Sequence, residues 1–217
     1  MINKELKEYI KKEIFPKYEL NDKGHGIEHI EYVIKRSIKF AKQIKDIDMN
    51  MVYTIASYHD IAHSVDPKRH EELSAKMLLD DKKLEKFFSK EQMQIMYDAI
   101  IDHRASLEYE PRNIYGKIVS SSDRNTSIED ILKRTYQYRI SNYSNEDIED
   151  IIEESYNHIK EKFTSTGYAS KKMYFDDDEY NIFIKDVDKL ISNKDYFIQK
   201  YLEINNIKKD VNICLKL

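Results

Sequence analysis

Only four glycines and three prolines punctuate the 217 residues of this chain. A sheet protein needs frequent tight turns, which draw on Gly and Pro for backbone angles that other residues resist. Their scarcity leaves long uninterrupted stretches, and the apolar residues in them recur at intervals of three and four. The chain therefore reads as all-α. Leu6, Ile10 and Ile14 predict a helix over 3–18, weakened at Pro16 before the turn Asn21-Asp22-Lys23-Gly24. A second helix is expected from Gly26 to Ile44, with Ile27, Ile30, Ile34, Ile38 and Ala41 as its apolar stripe. A third, capped by Asp46 or Asp48, should run from Met49 to His63. Its segment Val52-Tyr53-Thr54-Ile55-Ala56 is apolar nearly all round, as a central helix requires.

Ser64 to Lys68 reads as a loop and Glu71 to Leu79 as a fourth helix led in by His70. Ser89 with Gln92 makes a capping box for a fifth, ending near His103. After a loop with Pro111, the residues Ile114, Ile118 and Val119 predict a short helix that delivers Asp123 at its end. Ser127 with Asp130, and Ser144 with Asp147, mark further starts, giving helices over 128–140, 145–163, 178–192 and 194–206. A chain this long buries roughly 70% of its unfolded surface. We read residues 1–217 as a single unit, with a core over about 20–125 and a helical extension over about 126–217 packed on it. That extension leaves room for a homodimer. The run Asp176-Asp177-Asp178-Glu179 reads as a solvated turn.

Charge narrows the partners. Lys and Arg number 36 against 40 Asp and Glu, and the net charge of −4 offers no footprint for nucleic acid or an anionic membrane. The N-terminus alternates charged and apolar residues, and no apolar run is long enough to span a bilayer. Cys214 is the only cysteine, so no intrachain disulfide forms, in keeping with a cytoplasmic location.

Against this background stands an ordered series of metal-binding residue types: His29, the pair His59-Asp60, His70, His103 and Asp123. Neighbours on a regular helix differ by about 100°, so His59 and Asp60 converge on one ion only at a helix end. A carboxylate can bridge two ions whereas an imidazole binds one, which makes Asp60 the natural bridge. His29, His59, Asp60 and Asp123 would form one site, and Asp60, His70 and His103 a second. Such a mixed set suits Mn, Fe, Co, Ni, Zn or Mg, as one ion or two. Ions held this way turn water into a nucleophile for phosphorus near neutral pH.

The order His, His-Asp, Asp resembles the HD-domain superfamily of metal-dependent phosphohydrolases. His29-Ile30-Glu31-Tyr32-Val33 is similar to its opening His-x-x-Arg-Val element, Tyr58-His59-Asp60-Ile61-Ala62 to Leu-His-Asp-Ile-Gly, and Ser122-Asp123-Arg124 to the closing Ala-Asp-Arg. His70-Glu71-Glu72-Leu73-Ser74-Ala75 and Ile100-Ile101-Asp102-His103 resemble elements of members that hold a second metal. The resemblance covers about residues 20–125 and implies an HD-domain helical bundle with additional C-terminal helices. It implies hydrolysis of a phosphoester or phosphoanhydride in a nucleotide or other small phosphorylated metabolite. Two other readings stand beside it: an oxygenase with a di-iron pair on the same ligands, and a non-catalytic nucleotide-sensing module. His63, one turn beyond His59, resembles the basic residue that follows the signature in phosphohydrolases, and with Asp60 and Arg124 it is assigned to catalysis. His25, Arg104, Arg112 and Lys117 are assigned to the substrate's phosphate oxygens. The bland reading of each Arg and Lys is a solvated charge, and His158, in a Lys- and Glu-rich helix, reads as surface.

Overall fold

The structure is a computed structural model and describes residues 2–143 and 145–207; Ser144 and Cys214, singled out above, lie outside the described residues. Among the described residues there are ten α-helices joined by turns and short π and 3₁₀ segments, and no strand. They divide into two compact units. Of the described residues, one holds those up to Arg124 together with Met173–Phe175, and the other those from Asn125 to Lys172 and from Asp176 onward.

In the first unit, α1 (Lys4–Tyr9) runs on through a π-helical turn (Ile10–Ile14) into a 3₁₀ segment (Phe15–Leu20). Pro16 does not end the path, because it occupies the first turn of that segment, where its missing N–H has no partner to lose. Leu6, Ile10, Ile14 and Tyr18 form one buried row along it. Then come α2 (Ile27–Ala41), α3 (Met49–Tyr58), α4 (His70–Leu79), α5 (Lys90–Ile101) and α6 (Ile114–Ser122). Every residue from Met51 to Tyr58 is buried, so α3 is the central helix, flanked by α2, α5 and α6. Asp48 caps it by accepting from Asn50 N and Met51 N, whereas Asp46 sits in a left-handed turn at φ 58°. The capping box of α5 forms in full: Ser89 Oγ accepts from Gln92 N and Gln92 Oε1 from Ser89 N. Gln92 Nε2 also reaches Asp48 Oδ2 at 3.2 Å, joining the starts of α3 and α5.

Two expectations about α2 and α3 need correction. The buried face of α2 carries Ile30, Val33, Arg36, Ser37, Phe40 and Ala41, rotated from the predicted isoleucine stripe. Arg36 is taken inside because its guanidinium lies 5.3 Å from the ring centroids of Tyr32 and Phe40 and donates to Ser121 O. The second concerns α3, which stops at Tyr58 and not at His63. Beyond it the backbone closes i to i−3 bonds, Ile61 N to Tyr58 O and His63 N to Asp60 O, and Asn21 Nδ2 donates to the Asp60 carbonyl. That opening frees adjacent ligands from the 100° separation of a continuing helix.

In the second unit, α7 (Ile128–Asn142), α8 (Ile148–Phe163), α9 (Asp178–Ile191) and α10 (Lys194–Ile204) pack around Leu132, Ile159, Val187, Phe197 and Tyr201. Ser127, Asp147 and Asn193 cap α7, α8 and α10 through their side chains. In the acidic run Asp176, Asp178 and Glu179 are exposed and Asp177 is buried, its carbonyl beginning the hydrogen bonding of α9 by accepting from Asn181 N. His158 lies on the exposed face of α8. Among the described residues no helix is long and apolar enough to cross a membrane.

The end of α3 is held from the side by Asp81, whose Oδ2 accepts from the phenols of Tyr9 at 2.5 Å and Tyr58 at 2.6 Å. Replacing the acceptor strands a buried hydroxyl, whereas removing the hydroxyl with its oxygen strands nothing. Chemical denaturation should therefore show Asp81→Ala losing roughly 1–3 kcal/mol and Tyr58→Phe less than half of that. Equal losses would show that the two phenols do not depend on this carboxylate.

Candidate metal centre

Six side chains from five segments meet beside the open end of α3. His29 comes from the first turn of α2, His59 and Asp60 from the end of α3, His70 from the first residue of α4, His103 from just beyond α5, and Asp123 from the C-cap of α6. His29 Nε2 stands 3.2 Å from Asp123 Oδ1 and 3.5 Å from Asp60 Oδ2. His59 Nε2 lies 3.5 Å from the same Asp60 oxygen and 3.9 Å from Asp123 Oδ1. On the other side of the carboxylate, Asp60 Oδ1 is 3.2 Å from His70 Nε2 and 3.5 Å from His103 Nε2, and those two nitrogens are 3.3 Å apart. Ligand atoms about 2.1 Å from a tetrahedral ion are about 3.4 Å from one another. The smaller group, at 3.2–3.5 Å, has that spacing, the distances given for the larger one, 3.2–3.9 Å, bracket it, and Asp60 gives one oxygen to each.

The imidazoles are turned for this arrangement. The Nδ1 atoms of His59, His70 and His103 donate to carbonyl oxygens three residues earlier, those of Ala56 at 2.9 Å, Pro67 at 2.9 Å and Ile100 at 2.6 Å. Each ring is thereby fixed with its lone pair on Nε2. The chemistry of the donors fits a divalent ion. His29 Nε2, His59 Nε2 and Asp60 Oδ1 are buried without a well-aligned hydrogen bond, a costly state for polar atoms with nothing to bind.

Burial opposes charge on all of these groups, and their mutual fields decide the outcome. Burial presses His29 toward neutrality, but Asp123 and Asp60 outweigh it and raise its pKa to about 9. Burial also raises Asp60 and Asp123, yet the imidazoles around them hold both carboxylates below their usual range. His59, enclosed and facing other imidazoles, falls to about 4. His70 is lowered by burial and by His103, while His103, despite its burial, is raised by Asp60.

His25, assigned to the substrate, and His63, assigned to catalysis, sit together, their rings stacked with centroids 3.6 Å apart and planes 17° apart. Asp22, which the sequence showed only as part of a turn, links them: His25 Nδ1 lies 3.0 Å and His63 Nδ1 3.5 Å from its carboxylate. These three offer metal-ligand atoms of their own. An ion lies near the plane of each imidazole that binds it, and two stacked, nearly parallel rings do not share such a point. The trio is a carboxylate-linked imidazole pair, and it adjoins the six ligands through the 5.2 Å contact of His63 with His70 and the 5.8 Å contact of His25 with His29.

The cationic side chains have partners of their own. Arg104 donates to Glu71 Oε1 at 2.9 Å. Arg112 holds the buried Asp102 through two nitrogens, at 2.8 and 2.9 Å, and reaches Asp98 at 3.0 Å. It lines an outward groove with Arg69, Lys76, Tyr97 and Ile101, away from the six ligands in that no ligand lines it. Lys117 pairs with Glu110. Arg124 is buried, donates to Ser120 Oγ at 2.9 Å, and accepts on its carbonyl from the Tyr32 hydroxyl.

The HD domain family model matches residues 26–199 of this chain. The chain belongs to the HD domain family. The match takes in helices of both units, so this HD domain extends beyond the ligand-bearing helices. No curated protein matches. Among solved structures, that of a predicted HD superfamily hydrolase from an uncultured Thermotogales bacterium is 18% identical, covering 92% of this chain and 90% of that one, with a TM-score of 0.49.

Because the His29 pKa is raised to about 9, the chelated chain carries a proton there at neutral pH, and an ion must displace it. Uptake of a divalent ion should release that proton below pH 9, and affinity should rise with pH up to about 9. Calorimetric titration of the chelated protein in buffers of different ionisation enthalpy reads the release directly. A binding heat independent of buffer between pH 7 and 8 would contradict the assignment.

Proposed function

We propose that this HD domain protein is a metal-dependent phosphohydrolase that cleaves a phosphoester or phosphoanhydride of a nucleotide or another small phosphorylated metabolite. The observation that carries the reading is the carboxylate of Asp60, with one oxygen 3.5 Å from both His29 Nε2 and His59 Nε2 and the other 3.2 Å from His70 Nε2 and 3.5 Å from His103 Nε2. His29, His59, Asp60 and Asp123 would hold one divalent ion, and Asp60, His70 and His103 a second. Divalent ions acidify water and neutralise phosphoryl charge, which is the chemistry hydrolysis at phosphorus requires.

The chain's own residues supply the rest. Asp60 and Asp123, kept ionised by the surrounding imidazoles, provide the anionic ligands. Burial together with its neighbours His25 and His70 lowers the His63 pKa to about 4, so this imidazole is neutral near pH 7. A phosphate group beside it would reverse that balance, since a negative charge favours the imidazolium. In this reading His63 takes up a proton as substrate binds and passes it to the leaving oxygen, while Asp22 and His25 hold its ring in place. His25 contributes a second imidazole to the phosphate. Arg124, directly after the Asp123 ligand, is proposed to stabilise the phosphoryl charge. Arg104, Arg112 and Lys117 would each have to leave a carboxylate partner to reach a phosphate oxygen.

The test is phosphate or pyrophosphate release from a panel of nucleotides and small phosphate esters with Mn, Co, Mg or Fe, run with and without oxygen. Turnover should persist under nitrogen and fall to background in Asp60→Ala. His63→Gln should retain bound metal and lose about 10²-fold or more in kcat, the usual weight of a general acid. Reaction that consumes oxygen and requires iron would replace the hydrolase by an oxygenase. Metal binding and nucleotide binding without any turnover would leave a sensing module.

A further inference from the structure

The two groups of ligands differ in how they are held. The four ligands of the larger group, His29, His59, Asp60 and Asp123, come from helix ends in the packed core of α2, α3 and α6. The smaller group relies on His70 and His103, one at the start of α4 and the other in the turn after α5. Beside each stands a charged residue, and the two charged residues meet: Arg104 Nη1 donates to Glu71 Oε1 at 2.9 Å. The same guanidinium lies 3.4 Å from the carbonyls of Lys68 and Pro67. Pro67 O is also the acceptor that orients the His70 ring, at 2.9 Å from its Nδ1. The second carboxylate oxygen of Glu71 is buried, has no hydrogen bond, and stands 3.6 Å from His70 Nδ1.

We infer that Glu71 and Arg104 form a latch that sets whether the smaller ligand group, Asp60, His70 and His103, holds a divalent ion, and that both are positioning residues for it. The guanidinium fork ties the segment after His103 to the turn before His70, and the carboxylate locks that fork from the helix that carries His70. His70 Nε2 and His103 Nε2 stay 3.3 Å apart while both segments are joined. With the fork gone, each imidazole keeps its own backbone acceptor, but the separation between the two is no longer fixed. A group with three protein ligands tolerates that loss worse than one with four. Partners of metal ligands carry about 10- to 100-fold in metal affinity, and the latch should be worth as much at this position alone.

The inference rests on the two-ion form of the proposed centre but not on its reaction. Metal content of the chelated and reloaded protein, with Mn(II) titration followed by electron paramagnetic resonance, reads it without substrate. The unaltered chain should bind two ions, with the coupled spectrum of a close pair. Glu71→Gln and Arg104→Met should keep the tighter ion and weaken the second by about 10- to 100-fold. Arg104→Lys, which keeps the charge but not the fork, should lie nearer to Arg104→Met than to the unaltered chain. Circular dichroism melting checks that each variant is folded, and Glu71→Gln, which keeps volume and one acceptor oxygen, serves where Arg104→Met does not fold. Two tight ions in both Glu71→Gln and Arg104→Met would overturn the latch, and so would a raised KM with unchanged metal content, which makes Arg104 a substrate ligand. A single ion in the unaltered chain would overturn it together with the two-ion centre. Two ions without phosphate release would sink the hydrolase and leave the latch standing.

Discussion

The carboxylate of Asp60 is the constraint around which the first unit is arranged. It is buried almost completely, and an isolated carboxylate in such a place costs several kcal/mol unless opposite charge and hydrogen-bond donors surround it. His59, His103 and His29 hold it ionised, and Asn21 fixes its backbone carbonyl. To bring that many donors to one residue, α3 must run through the middle of the unit. Its whole length from Met51 to Tyr58 is correspondingly buried, and helices on either side deliver the remaining ligands from their ends. The apolar character of Val52–Ala56 and the polar cluster just after Tyr58 are two parts of one requirement: a helix buried enough to reach the centre, then broken where the ligands begin.

The breaks explain why some features were legible in the sequence and others were not. Asp48, Ser89, Ser127 and Asn193 cap through side chains a few residues from the N–H groups they satisfy, so local pattern reveals helix starts. The ligand types at His29, His59, Asp60, His70, His103 and Asp123 were visible because few side chains bind metal and their order is distinctive. The end of α3 was not visible, since Ala62 N is taken by Ser74 Oγ and the Asp60 carbonyl by Asn21, partners 12 and 39 residues away. Arg36 inside α2 was hidden for the same reason, its acceptor being on Ser121. Asp22 read as turn chemistry, which it also performs by accepting from Gly24 N, and nothing local shows that His63 comes to its other side. Arg104 read as a phosphate ligand and Glu71 only as a helix start, because their pairing spans 33 residues.

Helix ends are an economical source of metal ligands for a physical reason. The last carbonyls of a helix lack an intrahelical partner, and a histidine at or just past the end can satisfy one of them through Nδ1. His59 does this with Ala56 O and His103 with Ile100 O, so one hydrogen bond both completes the helix and fixes the tautomer that leaves Nε2 bare. Carboxylates behave in the opposite way. Asp60 and Asp123 stand at the C-terminal ends of α3 and α6, where the helix dipole is negative and an anion is disfavoured by about 0.3–1 kcal/mol. Imidazole fields reduce that penalty but are limited, because burial holds His59 and His70 toward the neutral form. A multivalent cation against both carboxylates meets the dipoles and the carboxylate charges together, and needs the imidazoles neutral. The same burial that makes the carboxylates costly thus gives His59 and His70 the protonation state of a ligand, while at His29 a proton must yield to the cation.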